Sequence, residues 1–394
     1  MHILMVSDVY FPRVNGVSTS IQSFRRHLVD QGHRVTLLCP DYPADQPGLQ
    51  LVADTEPDII RIPSRRVPLD PEDRLMRWRP LASLVETFVG SDVDVVHVHT
   101  PFVAHYAGRR LARRLGVPML ESYHTFFEEY ADQYIPLVPR GWLRSLARRW
   151  SRAQCNVVDH LIVPSSPMKD TLLRYGVRSG MTVLPTGIED DSPALPGDAE
   201  AFRRRHDIPA EAPLLLYVGR LAGEKNIDLL LDMLPGVLTS HADAILAIAG
   251  EGPARPRLER RVAEGGLKAA TRFIGYMHRD GELQGAYRAA DLFVFASRSE
   301  TQGLVLLEAL AQGTPVVAIA EMGTRDVLDP EGGCAIAPDD PVGFAAAVTG
   351  LLDRPDRRAA MSLAARRYAQ GWSARVMARR LADLYQGTTE GFGR

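Results

Sequence analysis

The chain alternates between two spacings of apolar residues. Its opening, "HILMVSDVYFPRVNGVSTSIQSFRRHLVDQGHRVTLLCP", runs from a short apolar stretch into a loop holding Pro12 and Gly16. Ile21, Phe24 and Leu28 then fall at helical spacing, Gly32 stops the helix, and a second β-rich run follows. That predicts one βαβ unit. Apolar runs at 93–99, 118–124 and 160–166 predict further strands, with "AHYAGRRLARRLG" and "PMKDTLLRYG" as helices beside them. Strands alternating with helices imply a parallel sheet covered on both faces. The pattern pauses over 185–201, "PTGIEDDSPALPGDAEA", where Pro, Gly and Asp mark a linker. It then restarts through "LLLYVGR", "AILAIAG", "TRFIGY", "LFVFAS" and "PVVAIA", each separated from the next by a helical segment. The prediction is an α/β protein with two doubly wound parallel sheets in tandem, facing across a cleft. Ligands of such sheets bind beyond the carboxyl ends of the strands. The loops to watch are those around 8–16, 97–101, 123–129, 219–226, 250–252, 275–277 and 297–304.

Composition narrows the class. The 394 residues are 45% hydrophobic and 24% charged, without low-complexity runs, which suits two ordinary globular domains. A net charge of -2 argues against a nucleic-acid partner, which calls for a basic domain. "MHILMVSDVY" lacks a basic leader and meets Asp8 at once, so it reads as a first strand and not as an export signal. No apolar run approaches the roughly 18 residues of a spanning helix. Cys39, Cys155 and Cys334 are few, odd in number and widely spaced, as expected of a reducing compartment. A cytoplasmic protein, soluble or peripheral on a membrane, is expected.

Two strand ends carry the chemistry. In "YVGRLAGEKN", Gly219 lets the backbone approach a ligand, and Arg220 and Lys225 bring two cations to a helix start near Asn226. A diphosphate uses that combination; the blander reading is two surface cations flanking a turn. In "SRSETQGLVLLEALAQGTP", a helix beginning near Gly303 leaves the amides of Gly303 and Leu304 as unpaired donors suited to phosphate oxygens. Glu300 then lies just outside the helix and Glu308 about a turn and a half inside. An ionised carboxylate accepts with two oxygens and so suits vicinal hydroxyl pairs, such as those of a sugar or a ribose. Glu300 holding a hexose and Glu308 a ribose, with a diphosphate between, would describe a nucleotide sugar. The alternative is that Glu300 only favours the helix dipole and Glu308 is an ordinary helical residue.

The segment resembles the E-x7-E element of retaining glycosyltransferases of family 4, which have the two-domain GT-B architecture of Rossmann-like domains. "DVYFPRVNGVSTSI", "HVHTP", "YHT", "PTGIE", "GRLAGEKN", "GEGP", "FIGYM", "ADLFVFASRSETQGLVLLEALAQGTPVVA" and a late "WS" match in the same order along nearly the whole chain. The resemblance implies roles. Gly16 would give its amide to the donor diphosphate, Arg220 and Lys225 would neutralise it, and Glu308 would hold the ribose. Glu300 would hold the transferring sugar, with the backbone of Thr301, Gln302 and Gly303 nearby. Tyr276 and Met277 would meet the base, and His124 would sit beside the reacting carbon. It further implies an acceptor-binding domain over 1–187, a nucleotide-sugar domain over 188–371, and a last helix, 372–394, crossing back to the first domain. Transfer would proceed with retention, without an essential metal or cofactor, the departing diphosphate being stabilised electrostatically. Two small departures are Glu189, where Asp is usual, and "VNGV", where many relatives carry two glycines.

His97 and His99 share a strand face, yet no third metal ligand accompanies them. "GEGPAR" lacks the third glycine and the distant acid of a dinucleotide fingerprint. Residues 133–158 hold five arginines and no acid; Trp142, Leu146, Trp150 and Ala153 fall on one helical face, and Arg140, Arg144, Arg148 and Arg152 on another. A basic helix with tryptophans suits an anionic membrane surface, and the blander reading is a core-facing helix with solvated arginines. "RRVPLDPEDRLMRWRP" adds Arg74, Arg77, Arg79 and Trp78 nearby. "YHTFFEEY" and "SETQGL" are similar to the family branch that glycosylates diacylglycerol. The expected reaction is hexose transfer from UDP-glucose or a relative to a membrane lipid, at the inner face of the cell membrane. The alternatives are a GDP-mannose-type transferase acting on a polysaccharide or lipid-linked glycan, a nucleotide-sugar epimerase, and a non-catalytic sugar-nucleotide binding module.

Overall fold

The computed structural model describes residues 1–13, 15–42, 58–67, 70–124, 140–189, 198–277 and 281–392, and within these not the side chains at 70–73, 140, 143 and 144. The chain divides into two compact units, Met1–Gly187 with Ala374–Arg394, and Ile188–Ser373.

The first unit is built on β1 (His2–Val6), β2 (Arg34–Pro40), β3 (Ile59–Ile62), β4 (Ser64–Val67), β5 (Asp70–Met76), β6 (Val95–Val98), β7 (Met119–Ser122), β8 (His160–Val163) and β9 (Gly180–Val183). Seven of them form one parallel sheet in the order β3-β2-β1-β6-β7-β8-β9, and β4 and β5 pair as a separate antiparallel ribbon. Every residue of β1 is buried, as an apolar run covered by helices on both faces requires. The helix Gly16–Asp30 starts on Asn15, whose side chain accepts from Ser18 N at 2.9 Å, and buries Ile21, Phe24 and Leu28. The C-terminal helix Ala374–Gly391 packs on it, bringing Met377, Ala378, Leu381 and Tyr385 into the same core.

The second unit is one parallel sheet of β10 (Leu214–Val218), β11 (Ile245–Ala249), β12 (Thr271–Gly275), β13 (Leu292–Phe295), β14 (Val316–Ala318) and β15 (Cys334–Ile336). Its order, β12-β11-β10-β13-β14-β15, is the doubly wound order in which the first strand laid down lies at the centre. Tyr217, Phe293 and Phe295 stack within its core, with neighbouring ring centroids 5.8 and 6.0 Å apart. The chain enters and leaves this unit at one place, where Ile188 N donates to Trp372 O at 2.9 Å.

The hydrophobic pattern missed several elements. The β4–β5 ribbon is rich in Arg, Asp and Glu and carries no apolar alternation. β15 is three residues long, too short to show a period.

Candidate functional site

In the second unit the strand order reverses between β10 and β13, the kind of switch point beyond which doubly wound sheets bind their ligands. β10 runs into Gly219 and exposed Arg220, then a 3-10 turn, Gly223–Lys225, and the helix Ile227–Ser240. Glycine is needed here for close approach. A Cβ on Gly219 would lie 2.8 Å from the Tyr217 hydroxyl, which itself donates to Arg220 O at 3.2 Å. Gly250, with φ +130°, passes so near that a Cβ would sit 2.0 Å from Gly219 O. The glycines of "GEGP" therefore serve backbone packing around this turn, which accounts for a fingerprint that is incomplete.

The loop after β13 meets this turn from the other side. Asn226, in the left-handed region at φ 52°, donates from Nδ2 to Ala296 O at 3.2 Å and ties the two strand ends together. Lys225 Nζ then lies 2.5 Å from Glu300 Oε1, both side chains being 19% exposed. Gly303 caps the helix Leu304–Ala311 at φ 85°, a conformation that glycine adopts without strain. Gly323 N donates to Glu300 O at 2.8 Å, and a Cβ there would meet Thr301 O at 2.1 Å, so the loop is fixed from behind. Glu308 is held differently: its Oε2 accepts from the Tyr287 hydroxyl at 2.9 Å. One carboxylate is thus held by a cation and the other by a neutral phenol. Gln302 and Gly303 are buried, Thr301 and Leu304 half-buried. Met277 is buried after β12, while Tyr276 stands exposed beside it. Among the described residues Arg220 has no side-chain hydrogen bond or ion pair.

The first unit has a second switch point, between β1 and β6. Gly16 is the first residue of its helix, exposed, with nothing within 4 Å of a Cβ added there. Its amide is one of the donors a helix start leaves without an intrahelical acceptor. Asp8, two residues past the end of β1, is buried; its Oδ2 accepts from Ala104 N at 2.8 Å and from the Thr100 hydroxyl at 3.1 Å. Oδ1 is buried without a partner. Burial pushes the Asp8 carboxyl from 3.8 up to about 7, against the opposing hydrogen bonds from Ala104 and Thr100. Sequence reasoning assigned Asp8 no role, although a carboxylate two residues past the apolar run Ile3–Val6 was the signal.

Three histidines line up on β6 and in the loops after β6 and β7: His97 within β6, His99 just past its end and His124 past the end of β7. His97 uses both ring nitrogens, Nδ1 with the Tyr385 hydroxyl at 2.5 Å and Nε2 with Ser122 Oγ at 2.9 Å. Its ring lies 4.0 Å from that of His99, whose Nδ1 is 3.2 Å from His124 Nε2. Burial pulls His97 down to about 3 and His124 to about 4, and His99 well below 6.5, so all three are neutral near pH 7. His124 is therefore held as a hydrogen-bonding imidazole and not as a cation. Tyr385 reaches His97 from the terminal helix, a link no local pattern reveals. Among the described residues no group of three or more His, Cys, Asp or Glu could hold a metal ion.

The basic helix forms as Arg140–Cys155. Among its described side chains Ser151, Gln154 and Cys155 are buried, with Gln154 Nε2 donating to Pro101 O at 2.6 Å. Trp142 and Leu146 are exposed by 79% and 65%, which corrects the reading of that stripe as core-facing. Trp150 is half-buried, its ring 6.0 Å from Phe102, and Arg148 is exposed with its guanidinium 5.5 Å from the Tyr175 ring. The side chain of Arg144, the linker 190–197 and all but the first two residues of "YHTFFEEY" lie outside the described residues. No described helix is long and apolar enough to cross a membrane.

Two parallel-sheet units in these strand orders form the GT-B architecture of glycosyltransferases. The crystal structure of Anabaena HepE in complex with UDP-glucose has the same fold, with a TM-score of 0.74 at 16% identity over 98% of this chain and 100% of that one. Residues 14–192 match the family described as Glycosyltransferase Family 4, and 198–368 match Glycosyl transferases group 1. An alpha-monoglucosyldiacylglycerol synthase of Streptococcus pneumoniae is 33% identical, covering 81% of this chain and 71% of its own. A GDP-mannose-dependent alpha-mannosyltransferase of Mycobacterium tuberculosis is 32% identical, covering 84% and 82%. The chain belongs to glycosyltransferase family 4.

Proposed function

We propose that this glycosyltransferase moves a hexose from a nucleotide sugar, UDP-glucose or a close relative, to a membrane lipid such as diacylglycerol, with retention at the anomeric carbon. The observation that carries the reading is the Lys225–Glu300 pair beside Arg220 at the β10/β13 switch point. Cations and carboxylate stand where a doubly wound sheet receives its ligand, and their types suit a diphosphate next to a polyol.

In this reading Arg220, Lys225 and the amides of Gly16, Gly303 and Leu304 take the charge of the departing diphosphate. Electrostatic stabilisation of that group is the main catalytic effect, assigned to protein groups and not to a metal ion. Glu300 exchanges part of its bond to Lys225 for sugar hydroxyls, Glu308 takes the ribose hydroxyls, and Tyr276 and Met277 meet the base. His124, kept neutral by burial, offers a hydrogen bond to the sugar at the reacting carbon. The leaving phosphate accepts the proton of the incoming hydroxyl, so no carboxylate need act as nucleophile. Trp142, Arg144, Arg148 and Trp150 are assigned to the acceptor side, with the protein peripheral on the cytoplasmic face of an anionic membrane.

The similarity to a mannosyltransferase that depends on GDP-mannose supports a second reading, mannosyl transfer to a glycan. Incubation with a panel of UDP- and GDP-sugars and a total lipid extract, followed by mass analysis, separates the two. A new UDP-hexose-dependent glycolipid is expected. Products formed only with GDP-mannose would favour the second reading, and donor conversion with no acceptor present would overturn both.

A further inference from the structure

His99 is 1% exposed, and the proposed reaction gives it no part. It is the first residue past β6, and His124 is the second past β7; these strands are parallel neighbours, so both residues stand at the same end of the sheet. Their backbones are anchored independently of the rings. His99 N donates to Val6 O at 3.0 Å, and Tyr123 N, one residue before His124, donates to Ile162 O at 2.8 Å. His99 Nδ1 then lies 3.2 Å from His124 Nε2, with the ring centroids 5.5 Å apart and the planes inclined by 20°. These separations place both nitrogens close to the line joining the centroids. The contact is therefore an in-plane hydrogen bond with a single hydrogen in it.

Which ring owns that hydrogen follows from the surrounding network. Burial keeps both imidazoles neutral near pH 7, so each carries one hydrogen. His99 Nε2 is buried and, among the described residues, has no partner. The His97 ring, 4.0 Å away, cannot serve it, because its own nitrogens already hold the Tyr385 hydroxyl and Ser122 Oγ. Were His124 the donor, His99 would carry its hydrogen on that buried Nε2, as an N–H without an acceptor. With His99 the donor, Nε2 is only a bare lone pair. Buried N–H groups without an acceptor are the rarer of the two in folded proteins. Among the described residues no hydrogen bond reaches His124 Nδ1.

We propose that His99 is a positioning residue for His124: it donates from Nδ1 to His124 Nε2 and so fixes the remaining hydrogen of His124 on Nδ1, which makes that nitrogen a donor to a substrate oxygen. The inference rests on the reading of His124 as the residue beside the reacting carbon, and it adds which nitrogen acts there and that it donates. Orientation follows from the same bond, because a ring held through Nε2 in its own plane cannot turn without breaking it.

The test uses the full chain, labelled with nitrogen-15 in histidine and free of substrate, near pH 7. Long-range nitrogen–proton correlations show which ring nitrogen carries hydrogen, and spectra of His99→Asn and His124→Gln assign the two rings. Both rings should carry it on Nδ1. His99→Leu removes the donor, and His124 should then average over its two tautomers. In that variant kcat for hexose transfer should fall by roughly 10- to 100-fold with KM for the sugar nucleotide within about twofold, since only the hydrogen bond at the reacting carbon is lost. His99→Asn, whose amide offers an N–H near the place of Nδ1, should restore most of kcat and the Nδ1 hydrogen of His124. It also guards against misfolding of the leucine variant, and unfolding midpoints of both are measured. Hydrogen on Nε2 of His99 in the wild type, an unchanged His124 tautomer or kcat in His99→Leu, or an asparagine variant as slow as the leucine one at a wild-type midpoint would overturn the proposal. Absence of transfer from any UDP- or GDP-sugar, with both hydrogens on Nδ1, sinks the proposed reaction alone; full transfer with the hydrogens on Nε2 sinks the His99 assignment alone.

Discussion

Replacing Lys225 separates its observed pairing with Glu300 from the diphosphate role proposed for it. Its ammonium lies 2.5 Å from Glu300, and each side chain is 19% exposed, so the pair is neither a solvated surface bridge nor a fully buried one. Exposed pairs contribute about 0–1 kcal/mol, whereas removing one partner of a buried pair costs about 3–5 kcal/mol. Lys225→Met should fall between these limits, near 2 kcal/mol, because Glu300 keeps its charge in a half-buried loop. In a unit of this size that corresponds to about 4–8 °C in unfolding midpoint, read by circular dichroism. Lys225→Met with Glu300→Gln removes both charges and should recover most of the loss. Turnover should not recover. Release of nucleoside diphosphate in the presence of dispersed lipid should fall by roughly 100-fold or more in both variants, since an uncompensated diphosphate raises the barrier by a few kcal/mol. If the double variant regained turnover together with stability, the pair would be a structural clip and the charge argument would fail. Wild-type turnover in Lys225→Met would refute it outright.

Three other outcomes follow from the geometry. Gly250→Ala places a Cβ 2.0 Å from Gly219 O at a positive φ and should cost about 3 kcal/mol or more, seen as a lower unfolding midpoint; a midpoint within a degree of wild type would show that the two strand ends can part cheaply. Asp8, raised from 3.8 to about 7 by burial, stays protonated in the folded state where the unfolded chain has already ionised. Its contribution is therefore full below about pH 4 and lost as pH rises to 7, by up to about 4 kcal/mol. Urea midpoints measured across that range should decline in wild type and flatten in Asp8→Asn; parallel profiles would contradict the assignment. Tyr385→Phe removes the hydroxyl on His97 Nδ1 and should cost about 1 kcal/mol, with the ring resonances of His97 shifting in NMR spectra and those of His160, whose partner is Thr182, unchanged.

The placement of the two carboxylates was legible, and their contacts were not. Glu300 and Glu308 were recognisable from their place after an apolar strand and at a helix start, because both signals are local. What holds them was not. Lys225 and Glu300 are 75 positions apart, and they meet because β10 and β13 are neighbours in the sheet. Glu308 meets Tyr287 across packed helices. The tryptophan stripe of the basic helix could be placed on one face from its spacing, but whether that face looked inward depended on Ser151, Gln154 and Cys155 finding neighbours in the first unit.

The sequence by itself determined the alternation of strand and helix, the restart of the pattern after the linker, and the residue types gathered at each strand end. These follow from spacing, turn residues and side-chain chemistry, all of which act over a few positions. Only the tertiary structure decided the order of strands in each sheet, the pairing of Lys225 with Glu300, and the reach of Tyr385 over 288 positions to His97. Parallel strands carry no local mark of their neighbour. Which edges pair is settled when the helices bury both faces of the sheet together, and that is a property of the whole core.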